Sequence, residues 1–193
     1  MTPPPRPTLT PSFRDTLPTW TAGRPWYRGT GTPRLALLGT LRFEDPAGEV
    51  GMETHLVHDG STAYQLPLTY RGAPLEGAED ALVTRAEHSE LGSRWIYDAE
   101  HDPVWNRLVV ELALGRGAEP VGWQAGAHGQ RISSEEPPAG ELRVEVARVL
   151  VGGPVPTGAA DVWALMGAWR VGGTEVGGPL VVVRRGGREP GSG

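Results

Sequence analysis

Glu87, His88 and Ser89 stand side by side, and Asp98, His101 and Asp102 follow a short way down the chain. A carboxylate, an imidazole and a hydroxyl are the parts of acid–base or nucleophilic chemistry, provided they converge within hydrogen-bond reach. Adjacent residues seldom do so, and no Gly-x-Ser-x-Gly elbow is present. The alternative role for Glu87, His88 and Ser89 is to cap or brace the turn before Gly92. If the first role holds, a small-molecule pocket is expected from Glu87, His88, Arg94, Tyr97 and Asp98 together with Trp26. His88 and His101 would flank its acidic part, made by Glu87, Asp98 and Asp102. His55 and His58 fall on an expected strand with opposite facing, so they cannot share an ion, and no metal site or cofactor is expected.

Two further clusters carry alternatives. Trp26 and Tyr27, flanked by Arg24 and Arg28 in a glycine-bounded loop, suit stacking on a sugar ring or holding a phosphate. They suit equally an aromatic anchor on a neighbouring protein, or two rings that plug a sheet. Arg71 with Glu76, Glu79 and Asp80 reads as solvated surface pairs, or as the rim of a site if it lies over the Glu87–His88 block.

Composition removes several chemistries. The 193 residues include no Cys, which excludes disulfides, thiolate metal sites and cysteine nucleophiles. All 18 basic side chains are Arg. Without Lys there is no Walker A loop, no strand lysine of a protein kinase and no Schiff base. The net charge of −5 gives no reason to expect a nucleic-acid partner. No apolar run approaches the ~20 residues of a membrane span. The start of the chain lacks a signal pattern, so a cytoplasmic location without membrane attachment is expected.

The elements that must position these residues are mostly strands. A short helix over 12–17 is expected after Thr10-Pro11, with Pro18 ending or bending it. Strands are expected over 34–43, 50–58 and 64–71, the last two joined at Asp59-Gly60. Pro67 argues that the third lies at an edge or carries a bulge. Residues 75–97 mix helical character with a short strand at Trp95-Ile96-Tyr97. Asp102-Pro103 has the chemistry of a helix start, Gly115 that of a stop, and Val104, Leu108, Glu111 and Leu112 share a face. Strands return over 142–151, 161–171 (Trp163, Leu165, Trp169 and Val171 on one face) and 180–185. The pairs Gly172-Gly173 and Gly177-Gly178 read as turns. Strands clustered before and after one main helix point to an α+β fold with antiparallel pairing. Flexible ends are expected over 1–11 and 187–193, around a first region at 12–115 and a β-rich extension at 116–186 packing on the same domain.

The run Tyr64-Gln65-Leu66-Pro67-Leu68-Thr69-Tyr70-Arg71-Gly72-Ala73-Pro74-Leu75 continues into Ala86-Glu87-His88-Ser89-Glu90-Leu91-Gly92-Ser93-Arg94-Trp95-Ile96-Tyr97-Asp98, then His101-Asp102-Pro103-Val104. These residues resemble the N-terminal cap domain of actinobacterial maltokinases and of stand-alone cap-like proteins. Pro25-Trp26-Tyr27-Arg28-Gly29-Thr30-Gly31 is similar to the family's Arg-Trp-Tyr/Phe-x-Gly-Lys-Gly, with Pro25 in place of Arg and Thr30 in place of Lys. The resemblance covers roughly 8–114. It implies a cystatin-like cap, a curved antiparallel sheet against a helix, which in maltokinases precedes a body that phosphorylates maltose with ATP and feeds α-glucan synthesis from trehalose. That body is expected to be missing. His101-Asp102-Pro103-Val104-Trp105-Asn106 imitates a His-x-Asp-x-x-x-x-Asn loop with each spacing one residue short.

Two functions follow. One is a non-catalytic interaction or regulatory module docking on a protein of glucan or trehalose metabolism. The other is a binding protein or small enzyme for a sugar or sugar phosphate, using a pocket around Glu87, His88 and Asp98.

Overall fold

The computed structural model describes residues 7–131, 142–154 and 162–185. The expected tail at 187–193 and the first six residues lie outside that range. Within it, helix covers about 17% and strand about 48%, in the expected α+β class, with a main sheet curled into an antiparallel half-barrel.

The chain begins with β1 (Leu9–Thr10) and helix α1 (Phe13–Ala22), followed by a glycine-bounded loop and strands β2 (Ala36–Phe43), β3 (Gly51–His58) and β4 (Ala63–Arg71). A second hairpin, β5 (Leu82–His88) and β6 (Gly92–Asp98), leads into helix α2 (Pro103–Ala113). Beyond it come β7 (Val121–Trp123), β8 (Ala125–Arg131), β9 (Leu142–Val146), β10 (Val149–Leu150), β11 (Val162–Val171) and β12 (Thr174–Arg185). The main sheet runs β1-β5-β6-β4-β3-β2-β7, with β10 added to β4, and a smaller sheet runs β8-β11-β12-β9.

Alternation along β3 and β4 assigns the two faces of the main sheet. Leu41, Met52 and Leu56 turn toward α2 and the smaller sheet, sharing one core with Trp105, Val109, Trp163, Leu165 and Trp169. Tyr64, Leu66, Leu68 and Ile96 turn the other way, beneath Leu17 and Trp20 of α1. Burial on both faces explains why β4 reads as an almost continuous buried run, not a half-wet alternation.

Local chemistry accounts for α2. Pro103 occupies the first turn, the Asp102 carboxylate accepts from the Val104 amide at 2.9 Å, and Gly115 at φ 73° closes the helix. The Gly115 amide donates to Leu112 O and the Arg116 amide to Glu111 O, the two bonds of a Schellman stop. The buried face is Trp105, Val109, Leu112 and Ala113, rotated from the expected Val104–Leu108 stripe because the helix is held between two sheets.

Several expectations are corrected by packing. Helix α1 runs through Pro18 to Ala22, because buried Leu17, Trp20 and Thr21 anchor it on the sheet on both sides of the proline. Leu9 and Thr10, expected in a flexible end, pair with His88 and Glu87. Residues 82–98, partly helical by expectation, form the β5–β6 hairpin, with helical geometry limited to the single turn Glu79–Ala81. β4 is central, not an edge. Its outer side is shared by β10 at residues 63 and 64 and by β6 from residue 68 onward. The Gln65 amide donates to Arg148 O, so alternation puts the missing Pro67 donor on that same side, in the gap between the two partners. The expected strand 142–151 breaks at Ala147-Arg148, where the chain leaves the smaller sheet for the main one. Gly172 and Gly173, at φ 57° and 86°, make the β11–β12 turn. Gly177 and Gly178 are strand residues, and a Cβ on Gly178 would lie 2.6 Å from Val151 O.

Candidate functional site

The residues singled out from sequence are distributed over several places. Trp26 and Tyr27 lie against the sheet: both rings pack on Tyr64 (centroids 6.0 and 5.7 Å away), and Trp26 also meets Trp20 at 5.8 Å. The Tyr64 hydroxyl accepts from the Arg28 amide at 3.4 Å and donates to Asp59 at 3.1 Å, while the Arg28 side chain is exposed. Asp59 braces the β3–β4 turn. Burial alone would raise its pKa, but the Thr62 and Ser61 amides and the Ser61 and Tyr64 hydroxyls bring it down to about 2.

Glu87, His88 and Ser89 hold the β5–β6 turn and the incoming chain. His88 Nδ1 accepts from the Glu90 and Leu91 amides, both at 3.2 Å, and the Thr8 amide donates to Ser89 Oγ at 3.0 Å. Glu87 accepts from the Ser93 hydroxyl. Tyr97 is 2% exposed, and its hydroxyl accepts from the Leu75 amide. Asp98 and Asp102 do not form an open acidic pocket between His88 and His101. Asp98 is ion-paired with Arg148 at 2.6 Å and Asp102 with Arg71 at 2.7 Å, both carboxylates being buried. Arg71 thus bridges β4 to the start of α2, away from the surface pairing with Glu76, Glu79 and Asp80 that its neighbours suggested. Among the described residues no group of three His, Asp or Glu side chains is placed to hold a metal ion.

What the fold does bring together is an open cleft of about 580 Å³ beyond the first turn of α1. Its walls come from Leu9, Phe13, the β2–β3 turn and the β5–β6 turn, and two of the singled-out residues, His88 and Arg94, line it. Strand register places Arg42, Glu53, Tyr70, Arg94 and His88 on the α1 face of the sheet. Gly51 leaves room for the Tyr70 ring, which a Cβ there would approach to 3.3 Å. The signal for this site, residues from five strands on one face, is invisible in any short stretch of sequence.

Under the cleft lies a buried polar cluster. The Tyr70 hydroxyl donates to Glu53 at 3.3 Å and sits 3.4 Å from His55 Nε2, with the Phe13 ring tilted against His55, centroids 4.9 Å apart. Burial pushes the His55 pKa below its ordinary value, outweighing the nearby Glu53 carboxylate, and burial also holds the Tyr70 hydroxyl protonated. A histidine with a lowered folded pKa binds fewer protons folded than unfolded as the pH drops. Its contribution to stability is therefore complete above the ordinary value of about 6.5 and lost as pH falls below it. His55→Phe is expected to flatten the dependence of the urea midpoint on pH between about 7 and 5 relative to the wild-type chain. An unchanged slope would show that His55 takes up its proton without cost.

This architecture defines a cap-type α+β domain: a curled sheet shielded by a helix on each face, with its opening at one end. Residues 20–102, somewhat less than half of the chain, match the family model of the maltokinase N-terminal cap domain. The match stops at Asp102, the residue that caps α2, so the body of α2 and the smaller sheet lie beyond it. A search of curated proteins finds no match to the chain. Among the described residues no helix is long and apolar enough to cross a membrane.

Proposed function

We propose that this chain is a non-catalytic interaction module: a maltokinase-type cap, acting in the cytoplasm, that docks on and regulates a protein partner in α-glucan or trehalose metabolism. The observation that carries the reading is the uncovered outer part of the main sheet. Leu37, Val121 and Trp123 are 47%, 69% and 53% exposed. Register places all three on the α1 face of β2 and β7, beyond the reach of α1 itself. Exposed apolar side chains grouped on one sheet face, with a tryptophan among them, are what a protein partner buries. The absence of lysine and the structural use of Glu87, His88, Asp98 and Asp102 support contact over chemistry.

The test is co-purification from the native extract, with captured enzymes identified by mass spectrometry. Val121→Asp/Trp123→Asp is expected to abolish capture of a glucan or trehalose enzyme while changing stability by no more than about 0.5 kcal/mol, as for exposed positions generally. A strictly monomeric chain that recovers no such enzyme, or capture undiminished in the double variant, overturns the reading.

A further inference from the structure

We propose that the partner segment docking on this domain is cationic as well as apolar, burying apolar side chains against Val121 and Trp123 while lysine or arginine side chains meet Glu44 and Glu49. The inference rests on the docking reading above and adds the chemistry of the partner. The exposed patch and the cleft beyond α1 form one surface. Val121 lies directly across from Arg42 of β2, and Arg42 directly across from Glu53 of β3. Arg42 and Glu53 both line the cleft. Apolar surface returns on its far side, at Phe13 and the exposed Leu91.

Charge selects the partner. The cleft presents the carboxylates of Glu44, Asp45, Glu49 and Glu53 against the guanidinium groups of Arg42 and Arg94. Arg42 faces Glu53 and offsets it, which leaves Glu44, Asp45 and Glu49 of the β2–β3 turn in excess over Arg94. Among the described residues these three carboxylates form no ion pair. Hydrogen bonding does not discharge Asp45. Burial pulls its pKa up, but the Val50, Ala47 and Glu49 amides hold it below the ordinary value, as an anion. A basic segment is attracted to such a rim, whereas the phosphates of a nucleic acid or of an acidic membrane surface are repelled. Glu44 and Glu49 are exposed and keep their water, so they steer and select the partner, and the apolar anchors hold it.

Two short synthetic peptides, one alternating leucine with lysine and one alternating leucine with glutamate, share apolar content and differ in charge. Binding kinetics on the full chain are expected to show saturable binding of the leucine–lysine peptide and none of the other. Glu44→Gln/Glu49→Gln is expected to slow association about threefold or more with dissociation unchanged, and Trp123→Ala to speed dissociation about tenfold. Glu44 and Glu49 are exposed turn residues, so their exchange leaves the core untouched. Glu76→Gln/Glu79→Gln removes the same charge from exposed positions outside the cleft and is expected to change association less. A leucine–glutamate peptide that binds as tightly as its counterpart, or a leucine–lysine peptide that does not bind or binds unaltered to Glu44→Gln/Glu49→Gln, overturns the proposal. So does a dimer in sedimentation that Trp123→Asp dissolves, since a second copy then covers the patch. If the rim variant is silent while Trp123→Ala weakens both peptides alike, the basic partner is refuted and docking at the patch stands. Binding unchanged in Trp123→Ala refutes the docking reading as well.

Discussion

Asp102→Ala is expected to destabilise the fold by about 3–5 kcal/mol, the usual cost of removing one partner of a buried ion pair. Asp102 is fully buried, and Arg71 donates to both its oxygens through Nε and Nη2 at 2.7 Å. The same carboxylate caps α2 by accepting the Val104 amide, so one truncation strands a guanidinium and frays a helix. For a chain of this size the loss corresponds to roughly 6–20 °C in Tm. Asp102→Asn keeps the cap and loses the charge, so it should fall between the two. Burial by itself would raise the Asp102 pKa, but the Arg71 hydrogen bonds, the Val104 amide and the Arg71 charge hold it below the ordinary value. A depressed carboxylate contributes in full above its unfolded pKa of about 3.9 and loses that contribution as pH falls through the folded value. Urea unfolding at neutral pH and near pH 3 should therefore show the gap between wild type and Asp102→Asn narrowing in acid. A gap independent of pH would rule out the ion pair as its source.

Arg148→Met is expected to cost a similar amount, about 3–5 kcal/mol, for a different reason. Arg148 stands where the chain crosses from the smaller sheet to the main one. Its Nη2 donates at 2.6 Å to both Asp98 and Glu100, and its guanidinium lies 5.4 Å from the Trp26 ring. The Asp98 side chain is only 7% exposed, so removing the arginine leaves that carboxylate buried without its cation. Methionine keeps most of the packing volume, which isolates the charge. Arg148→Met/Asp98→Asn should recover a large part of the loss, because both buried charges go together. Amide exchange should quicken first in Gln65, whose amide donates to Arg148 O. A single-variant cost below about 1 kcal/mol would reduce the pair to the value of a surface contact.

Both residues show how sequence and tertiary structure share the work. Asp102 was readable as a helix cap because capping is decided within a few residues, and the α2 limits follow from Pro103 and Gly115 alone. Its second role, holding Arg71, depends on β4 arriving beside the helix start. Asp98 and Glu87 offered no such local rule. Each was as plausible in a pocket as in a brace until strand pairing put Arg148 against one and Ser93 against the other. Pro67 is the sharpest case. A missing backbone donor points to an edge when neighbours in sequence are all that is known, yet β4 is central because β10 and β6 divide its outer side around that proline. Pro18 likewise breaks a helix in isolation but not one pinned to a sheet by Leu17 and Trp20.

The sequence by itself determined the excluded chemistries, the α+β class, the caps of α2, the β3–β4 turn and the cap-family resemblance, since composition and short-range stereochemistry need no distant partner. Only the tertiary structure decided which carboxylates are buried in ion pairs, where the strand at 142–151 divides, and that Arg42, Arg94 and His88 line one cleft. Those outcomes depend on register between strands far apart in the chain, and a shift of one residue would turn each of those side chains to the opposite face.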